Sequence, residues 1–148
     1  MSAAQNEQVF RRFVDIGLNQ NNIESIQAEI CAPNLVLEAP GVPTNAGREQ
    51  GYELFKQSVL GFTHAFPDVQ CKLPFLVAEG ETVAADIAYH GHHENEFMGV
   101  APSHEDVAGG ELWFVDFENG KMKNVRICEY GTPLRAAMIA AGAHGAHP

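Results

Sequence analysis

Basic residues are scarce in this sequence. Nine lysines and arginines stand against nineteen aspartates and glutamates, which gives a formal net charge of −10. A chain with this charge repels phosphate backbones and anionic lipid at long range, and its basic residues are scattered rather than clustered. The composition therefore argues against nucleic acids and membrane surfaces as partners.

Cysteine is also rare, and long apolar runs are missing. The three cysteines, Cys31, Cys71 and Cys128, are odd in number and lack the short paired spacings of a disulfide framework or a zinc knuckle. We therefore expect buried free thiols. No apolar stretch approaches the roughly 20 residues that cross a bilayer, and the polar residues 1–8 do not resemble a signal peptide. A soluble, cytoplasmic protein is expected.

Common catalytic and cofactor-binding motifs are missing as well. The sequence has no G-x-S-x-G nucleophile elbow, no P-loop and no G-x-G-x-x-G fingerprint, which argues against a serine hydrolase, a nucleotide-binding protein and a Rossmann fold. His92 and His93 are adjacent, so in a strand they point to opposite faces, and neither has the i, i+4 partner of a helical zinc site. We expect no metal and no cofactor.

The spacing of apolar residues predicts helices first and strands later. Three helices are predicted, at residues 9–18, 23–30 and 48–65. Four strands follow, at residues 69–78, 82–93, 111–118 and 121–130. The last two flank Asn119-Gly120, a strong signal for a two-residue hairpin turn. Long antiparallel strands after helices indicate an α+β fold.

The remaining segments complete a single domain, which we place at residues 1–142. A short strand at 34–38 leads into a turn-rich stretch, and a short helix runs from Pro133 to about Ala141. The tail, residues 143–148, has too little apolar content to pack and is expected to be flexible. The loop 94–110, between the predicted strands 82–93 and 111–118, is long enough to predict a functional rim or lid.

Several segments of the second half, in their order, resemble one family. They are Ala65-Phe66-Pro67-Asp68, Val77 to Ala84, Gly91-His92-His93 with Glu96 to Pro102, and Asn119-Gly120-Lys121-Met122. In these segments the sequence resembles the SnoaL-like polyketide cyclases of the NTF2-like superfamily, and the helical first half agrees in outline. The resemblance implies a curved antiparallel sheet that wraps with helices into a cone around an apolar pocket, usually in a homodimer packed through the sheet.

The resemblance also implies a function. Enzymes of this family close rings or isomerise small molecules with acid and base side chains and without metal or coenzyme. For this chain it implies a cofactor-independent isomerase or cyclase that transfers protons on a polyketide-like or polycyclic natural-product intermediate. The expected partners are this small-molecule substrate and a second copy of the chain.

The family's catalytic positions are changed in this sequence. The family's last strand usually carries a His-Trp pair and, four residues after the Trp, an Asp that works as acid and base. Val125, Arg126 and Tyr130 stand at these positions. A His common in the first strand corresponds to Glu38, and the loop motif Pro-Pro-Thr-Gly corresponds to Ala101-Pro102-Ser103-His104. The changed set implies changed chemistry, or none.

The last strand carries candidate residues on both of its faces. Arg126 and Tyr130 share one face, which the resemblance turns toward the pocket, where they would bind an enolate or carboxylate oxygen and donate to an oxyanion. The alternatives are a structural ion pair for Arg126 and a core aromatic for Tyr130. Glu129 lies on the other face; a bulge near the strand end would bring it into the pocket as a base, and otherwise it is solvated or faces a dimer partner.

Neighbouring strands add three further candidates. His90 is the preferred general acid or base, with a structural, hydrogen-bonded histidine as the alternative. Across a two-residue turn Asp116 pairs with Lys123 on the outer face, and it joins the catalytic residues only if the register shifts. By the same count Trp113 lies opposite Arg126 and forms pocket wall.

Three further residues are candidate substrate contacts: Phe97 and Met98 in the long loop, and Glu38, whose alternative role is to cap the following turn. Three functions are open. The first is the isomerase or cyclase, with His90 and Glu129 as acid and base. The second is a non-catalytic module that shelters an apolar ligand or serves a partner subunit, and the third is a hydrolase or dehydratase that uses the same pocket.

Overall fold

The helices lie in the predicted order in the computed structural model, which describes residues 2–40 and 50–145. Helix α1 (Ala3–Arg12) begins with a capping box, in which the Gln5 amide donates to the Ser2 hydroxyl at 3.1 Å. It continues as a π-helical segment (Phe13–Asn19), and α2 (Ile23–Ile30) follows. The later helices are α3 (Gly51–Ala65) and α4 (Leu134–Gly145).

The strands form one curved, open sheet. They are β1 (Cys31–Glu38), β2 (Gln70–Glu79), β3 (Thr82–His92), β4 (Asp106–Glu118) and β5 (Lys121–Tyr130). Their spatial order is β1-β5-β4-β3-β2, and neighbours pair antiparallel except β1 and β5, which pair in parallel. The α+β fold is therefore confirmed, and the sheet is mixed rather than wholly antiparallel.

Strand β4 begins earlier than predicted, at Asp106 instead of Glu111, which shortens the preceding loop to residues 93–105. The missed residues include Gly109 and Gly110, whose low strand propensity argues against a strand. The strand needs glycine at these two positions because a side chain would not fit there. A Cβ at Gly109 would overlap the Tyr89 hydroxyl on one face, and one at Gly110 would overlap the ring of Tyr130 on the other.

A β-bulge changes the predicted register between β4 and β5. Phe117 pairs with Met122, as a two-residue turn requires, but Asp116 pairs with Asn124, so that Lys123 is the extra residue. The predicted pair of Asp116 with Lys123 is therefore wrong. Beyond the bulge every pair shifts by one residue.

The inner face of the sheet packs against the helices and forms the core. Phe10, Phe13 and Phe55 surround Trp113, with ring centroids between 5.2 and 6.2 Å from that of the indole. The outer face carries the alternate residues of each strand and remains exposed to solvent. Within residues 2–40 and 50–145, no helix is long and apolar enough to cross a bilayer.

The cysteines divide between the core and the outer face. Cys31 and Cys71 are buried free thiols as expected, and burial raises the pKa of each to about 12. Cys128 is free but exposed, which corrects the expectation of burial, because its strand position lies on the outer face.

Two predicted segments extend beyond the residues that the structure describes. The turn-rich stretch that ends at residue 47 and the predicted start of the third helix at Arg48 fall largely outside the described residues. Helix α4 continues to Gly145, past the predicted end near Ala141, and residues 146–148 lie outside the described part.

Candidate active site

A cavity of about 240 Å³ lies between the inner face of the sheet and α3. Its wall is mostly apolar: α3 contributes Phe55, Val59 and Phe62, spaced so that one helix face meets the cavity, and β3 and β5 contribute Ile87 and Ile127. The structure therefore has an apolar pocket of the kind that the sequence predicts.

Two carboxylates interrupt this apolar wall. Glu111 on β4 and Glu129 on β5 line the cavity and are directly opposite each other in the sheet register. Burial raises the pKa of Glu111 to about 7, and the negative charge of Glu129 adds to the effect. At neutral pH, Glu111 is therefore divided between its protonated and ionised forms.

The Glu129 carboxylate is held by the start of the last helix. Its Oε2 atom accepts a hydrogen bond of 2.6 Å from the backbone N–H of Leu134, the first residue of α4. Its Oε1 atom accepts no hydrogen bond from the residues that the structure describes. Since Leu134 itself lines the cavity, the bond lies at the cavity wall.

Tyr89 adds a hydroxyl group to the same wall. It lies on the inner face of β3, packs edge-on against Phe62 with ring centroids 5.0 Å apart, and extends over Gly109 toward β4. Burial raises its pKa, and the charges of Glu111 and Glu129 raise it further. The Tyr89 hydroxyl therefore stays protonated and can donate a hydrogen bond.

The loop 93–105 forms the rim of the cavity, and Phe97 and Met98, the predicted substrate contacts in this loop, line the cavity. The loop is closed at its base, where the His93 N–H donates to the Glu105 carbonyl and the His104 N–H to the His93 carbonyl. The His93 ring is fully buried and stacks on Phe66, with centroids 5.2 Å apart. The rim is thus fastened to the end of α3.

Three predicted site residues lie on the outer face instead of in the cavity. The side chain of His90 is 56% exposed, and its Nδ1 lies 3.2 Å from Asp106. Arg126 lies 3.2 Å from Glu38, also on the outer face. The placement of His90, Arg126 and Glu38 in the pocket is therefore wrong, because alternation along β1, β3 and β5 turns these positions away from the helices.

Tyr130 and Asp116 also lie outside the cavity. The Tyr130 hydroxyl donates to Asp86 at 2.5 Å across the outer face of β4, so its predicted placement in the pocket is wrong. Asp116 accepts a hydrogen bond from the Thr82 hydroxyl at 3.0 Å. Asp116 lies on the outer face, as the structural alternative expects, even though the register does shift. Its predicted catalytic placement is therefore wrong, and Lys123, its expected partner, lies near Glu118 instead.

The register shift changes the partner of Trp113 and brings Glu129 to the cavity. Trp113 pairs with Ile127 rather than with Arg126, and it lines the cavity as predicted. Glu129 faces the cavity without a bulge at the strand end; the bulge lies at the start of the strand, next to Asn124. Glu129 is therefore the carboxylate of the last strand that meets the cavity.

Glu111 and Tyr89 line the cavity but are not among the residues predicted from the sequence. Alternation places Glu111 on the face of Trp113 and Val115, so a prediction that Trp113 is pocket wall already implied it. Tyr89 shares a face with Ile87 in the same way. Within residues 2–40 and 50–145, no three histidine, cysteine or acidic side chains come together as a metal site would require.

Comparison with solved structures shows the fold. A SnoaL-like protein from Jannaschia sp. CCS1 superposes with a TM-score of 0.81 at 20% identity, covering 95% of this chain and 94% of that one. TsrD from Streptomyces laurentii gives 0.79 at 17% identity, with 97% and 98% covered. A SnoaL-like polyketide cyclase from Agrobacterium tumefaciens strain C58 gives 0.69 at 18% identity, with 84% and 91% covered.

The comparison of sequences shows the family. No match is found among curated proteins. The family model of the SnoaL-like polyketide cyclases matches residues 8–137, which is most of the chain. At the level of the family this supports a role of the cyclase or isomerase type. The chain therefore belongs to the SnoaL-like polyketide cyclase family and has its NTF2-like fold.

Proposed function

We propose that the cavity catalyses enolisation of an uncharged carbonyl compound, with Glu129 as general base and Glu111 as general acid. Enolisation is the step that an isomerase or an aldol-type cyclase acting on a polyketide-like substrate requires. The observation that carries the proposal is the cross-strand pair of carboxylates in an otherwise apolar cavity.

The pair supports acid–base chemistry because two close carboxylates do not both ionise easily. Burial and the negative charge of Glu129 raise the pKa of Glu111 to about 7, so part of the Glu111 population keeps its proton at neutral pH. A proton donor with a pKa near the working pH is the most effective general acid. One residue of the pair can therefore give a proton while the other takes one.

The proposed enolisation moves one proton to Glu129 and one proton from Glu111. Glu129 removes a proton from the carbon next to a carbonyl, the electron pair of that C–H bond becomes the C=C bond of the enol, and the π pair of the C=O bond takes the proton that Glu111 donates to the oxygen. Tyr89 offers a second hydrogen bond to the same oxygen. In an isomerisation, Glu111 takes back the enol O–H proton as Glu129 gives its proton to another carbon. In a ring closure, the enol carbon attacks a second carbonyl carbon, Glu111 takes back the enol O–H proton, and the new alkoxide takes the proton held by Glu129.

The lining of the cavity favours an uncharged substrate. Glu111 and Glu129 are acidic, and no lysine, arginine or histidine lines the cavity among the residues that the structure describes. A carboxylate or phosphate in this cavity would lack a counter-charge and would be repelled by Glu129. A volume of about 240 Å³ lies below the usual 300–1,000 Å³ of ligand pockets, so a compound of one or two rings fits.

Hydrogen–deuterium exchange of 2-tetralone tests the proposal. This neutral, two-ring ketone has acidic hydrogens next to its carbonyl, and their exchange in D₂O is followed by NMR. We expect exchange above the buffer rate with the wild-type protein, and a loss of about 100-fold or more in Glu129→Gln. Glu38→Gln, which changes an exposed outer-face carboxylate, serves as the matched control and should exchange at the wild-type rate.

Two outcomes contradict the proposal. If 2-tetralone binds but is not exchanged faster than in buffer, the cavity is a binding module and the enzyme assignment fails. If exchange is fast and Glu129→Gln matches Glu38→Gln, another group is the base.

The outer face of the sheet supports a homodimer, which the family resemblance implies. Its exposed apolar residues are Phe75, Val77, Leu112, Phe114 and Tyr130, each between 37% and 56% exposed. Cross-strand pairing places them on one surface that spans β2 to β5. Because so much apolar surface is costly to leave in water, we propose that a second copy of the chain covers it.

A further inference from the structure

We propose that the first turn of α4 positions the general base: the backbone N–H of Leu134 holds one oxygen of the Glu129 carboxylate so that the other faces the cavity. Leu134 then acts as a positioning residue through its backbone. The inference rests on the proposed function, since it concerns the carboxylate assigned there as the base.

The hydrogen bond joins two groups that are free to make it. The first N–H groups of a helix have no carbonyl partner within the helix, and Leu134 is the first residue of α4. Glu129 is the penultimate residue of β5, and Gly131, with a φ of 69°, turns the chain back so that the helix start returns to the strand end. The N···O distance of 2.6 Å is short, as expected for an acceptor that carries a charge.

The donor is fixed by contacts that do not involve Glu129. Leu134 and Met138 lie one turn apart on α4, and their side chains are 6% and 0% exposed, so both anchor the helix in the core. Arg135 donates from Nε to the Met98 carbonyl at 3.1 Å, which fastens the same helical turn to the rim of the cavity. The Leu134 N–H therefore has a defined position relative to both the sheet and the rim.

A fixed backbone donor solves a problem that a glutamate base has. The side chain has three rotatable bonds, and an error of about 1 Å in the position of a reacting group can lower a rate about 100-fold. A backbone N–H neither rotates nor titrates. The Leu134 N–H can therefore keep Oε2 of Glu129 in one place and leave Oε1 available for the substrate proton.

The test compares Leu134→Pro with Leu134→Ala. Both variants lose the leucine side chain from the cavity wall, but only proline also removes the backbone N–H. Proline is tolerated in the first turn of a helix, where its fixed φ fits and no internal hydrogen bond is lost. The difference between the two variants therefore isolates the hydrogen bond.

We expect the maximal rate of 2-tetralone exchange in Leu134→Pro to fall about 10-fold or more below that of Leu134→Ala, with half-saturating concentrations that agree within about 2-fold. Equal maximal rates in the two variants would overturn the proposal. If Leu134→Pro does not fold, replacement of the Leu134 amide by an ester removes the N–H and keeps the side chain. The control is the same replacement of the amide of Ala136, an exposed residue in that turn. Equal maximal rates in the two ester variants would also overturn the proposal.

An NMR measurement separates this inference from the proposed function. A short bond to a carboxylate moves the Leu134 amide proton downfield, and Glu129→Gln should return it toward an ordinary shift. If the wild-type protein shows no exchange activity, the proposed function fails and the amide shift alone decides the inference. An amide shift that is unchanged in Glu129→Gln overturns the positioning role whatever the activity.

Discussion

Glu111 and Glu129 are cross-strand partners on the inner face of β4 and β5. Their pairing depends on the bulge at Lys123, because in the unshifted register Glu129 would pair with Gly110 and Glu111 with Cys128. One extra residue near a turn thus brings the two carboxylates together at the cavity wall. Burial at this wall, together with the negative charge of Glu129, raises the pKa of Glu111.

Glu111→Gln should stabilise the protein at high pH. The folded protein binds the Glu111 proton up to a pKa of about 7, whereas the unfolded chain releases it near 4.5. Between these values the folded state holds more protons, so the free energy of unfolding falls as pH rises and stays lower above pH 7. The variant lacks this loss. Between pH 4 and pH 8, its free energy of unfolding should therefore rise by up to about 3 kcal/mol relative to that of the wild type.

Urea unfolding of both proteins at these two pH values measures the gain. Glu118→Gln, which changes an exposed carboxylate of the same strand, is the control and should follow the wild type. A difference between Glu111→Gln and wild type that does not change with pH would show that Glu111 titrates normally.

The rate of 2-tetralone exchange should decline above pH 7. If Glu111 donates a proton to the carbonyl oxygen, its ionisation near pH 7 removes the acid form and the rate falls as pH rises through that value. Glu111→Gln should show a lower rate and no such decline. A decline that persists unchanged in Glu111→Gln would assign the titrating group elsewhere.

Gly109→Ala and Gly110→Ala should differ in their effect on activity, because they change opposite faces of β4. Each new methyl group overlaps a tyrosine, Tyr89 on the inner face or Tyr130 on the outer face. Overpacking of this kind costs about 1–3 kcal/mol, so both variants should unfold at lower urea concentration. Only Gly109→Ala displaces a hydroxyl at the cavity, and it alone should slow 2-tetralone exchange under conditions where both variants are folded.

Gly109 and Gly110 lie in a strand although the pattern predicts a loop, which shows where sequence patterns mislead. The Gly109-Gly110 pair interrupts the apolar alternation, so the pattern predicts a loop where the strand continues. What compensates the low propensity is the packing of two tyrosines from neighbouring strands, Tyr89 and Tyr130, and this is a tertiary effect. By contrast, the second helix and the final strand have the predicted bounds because their patterns are local.

The same limit applies to the candidate site. Alternation correctly separated Arg126 and Tyr130 from Glu129, but the sequence does not say which face of a strand meets the helices. The family resemblance suggested the wrong face. The bulge at Lys123 was also hidden, because Asn119-Gly120 predicts a two-residue turn and the residues after it carry no bulge signal.

Phe114→Arg should separate the proposed dimer into monomers. Phe114 lies on the outer face of β4, the central strand of the sheet, and is 44% exposed. In a dimer through this face, an arginine at position 114 would be buried beside Arg126, its cross-strand partner. Burial of an unpaired charge costs several kcal/mol, enough to lower an association constant at least about 100-fold. Ile139→Arg is the control, since Ile139 is 48% exposed but lies on α4. Sedimentation of both variants should show monomers for Phe114→Arg and dimers for Ile139→Arg. A wild-type protein that sediments as a monomer at high concentration would contradict the dimer, because the apolar outer face would then be stable in water without a second copy.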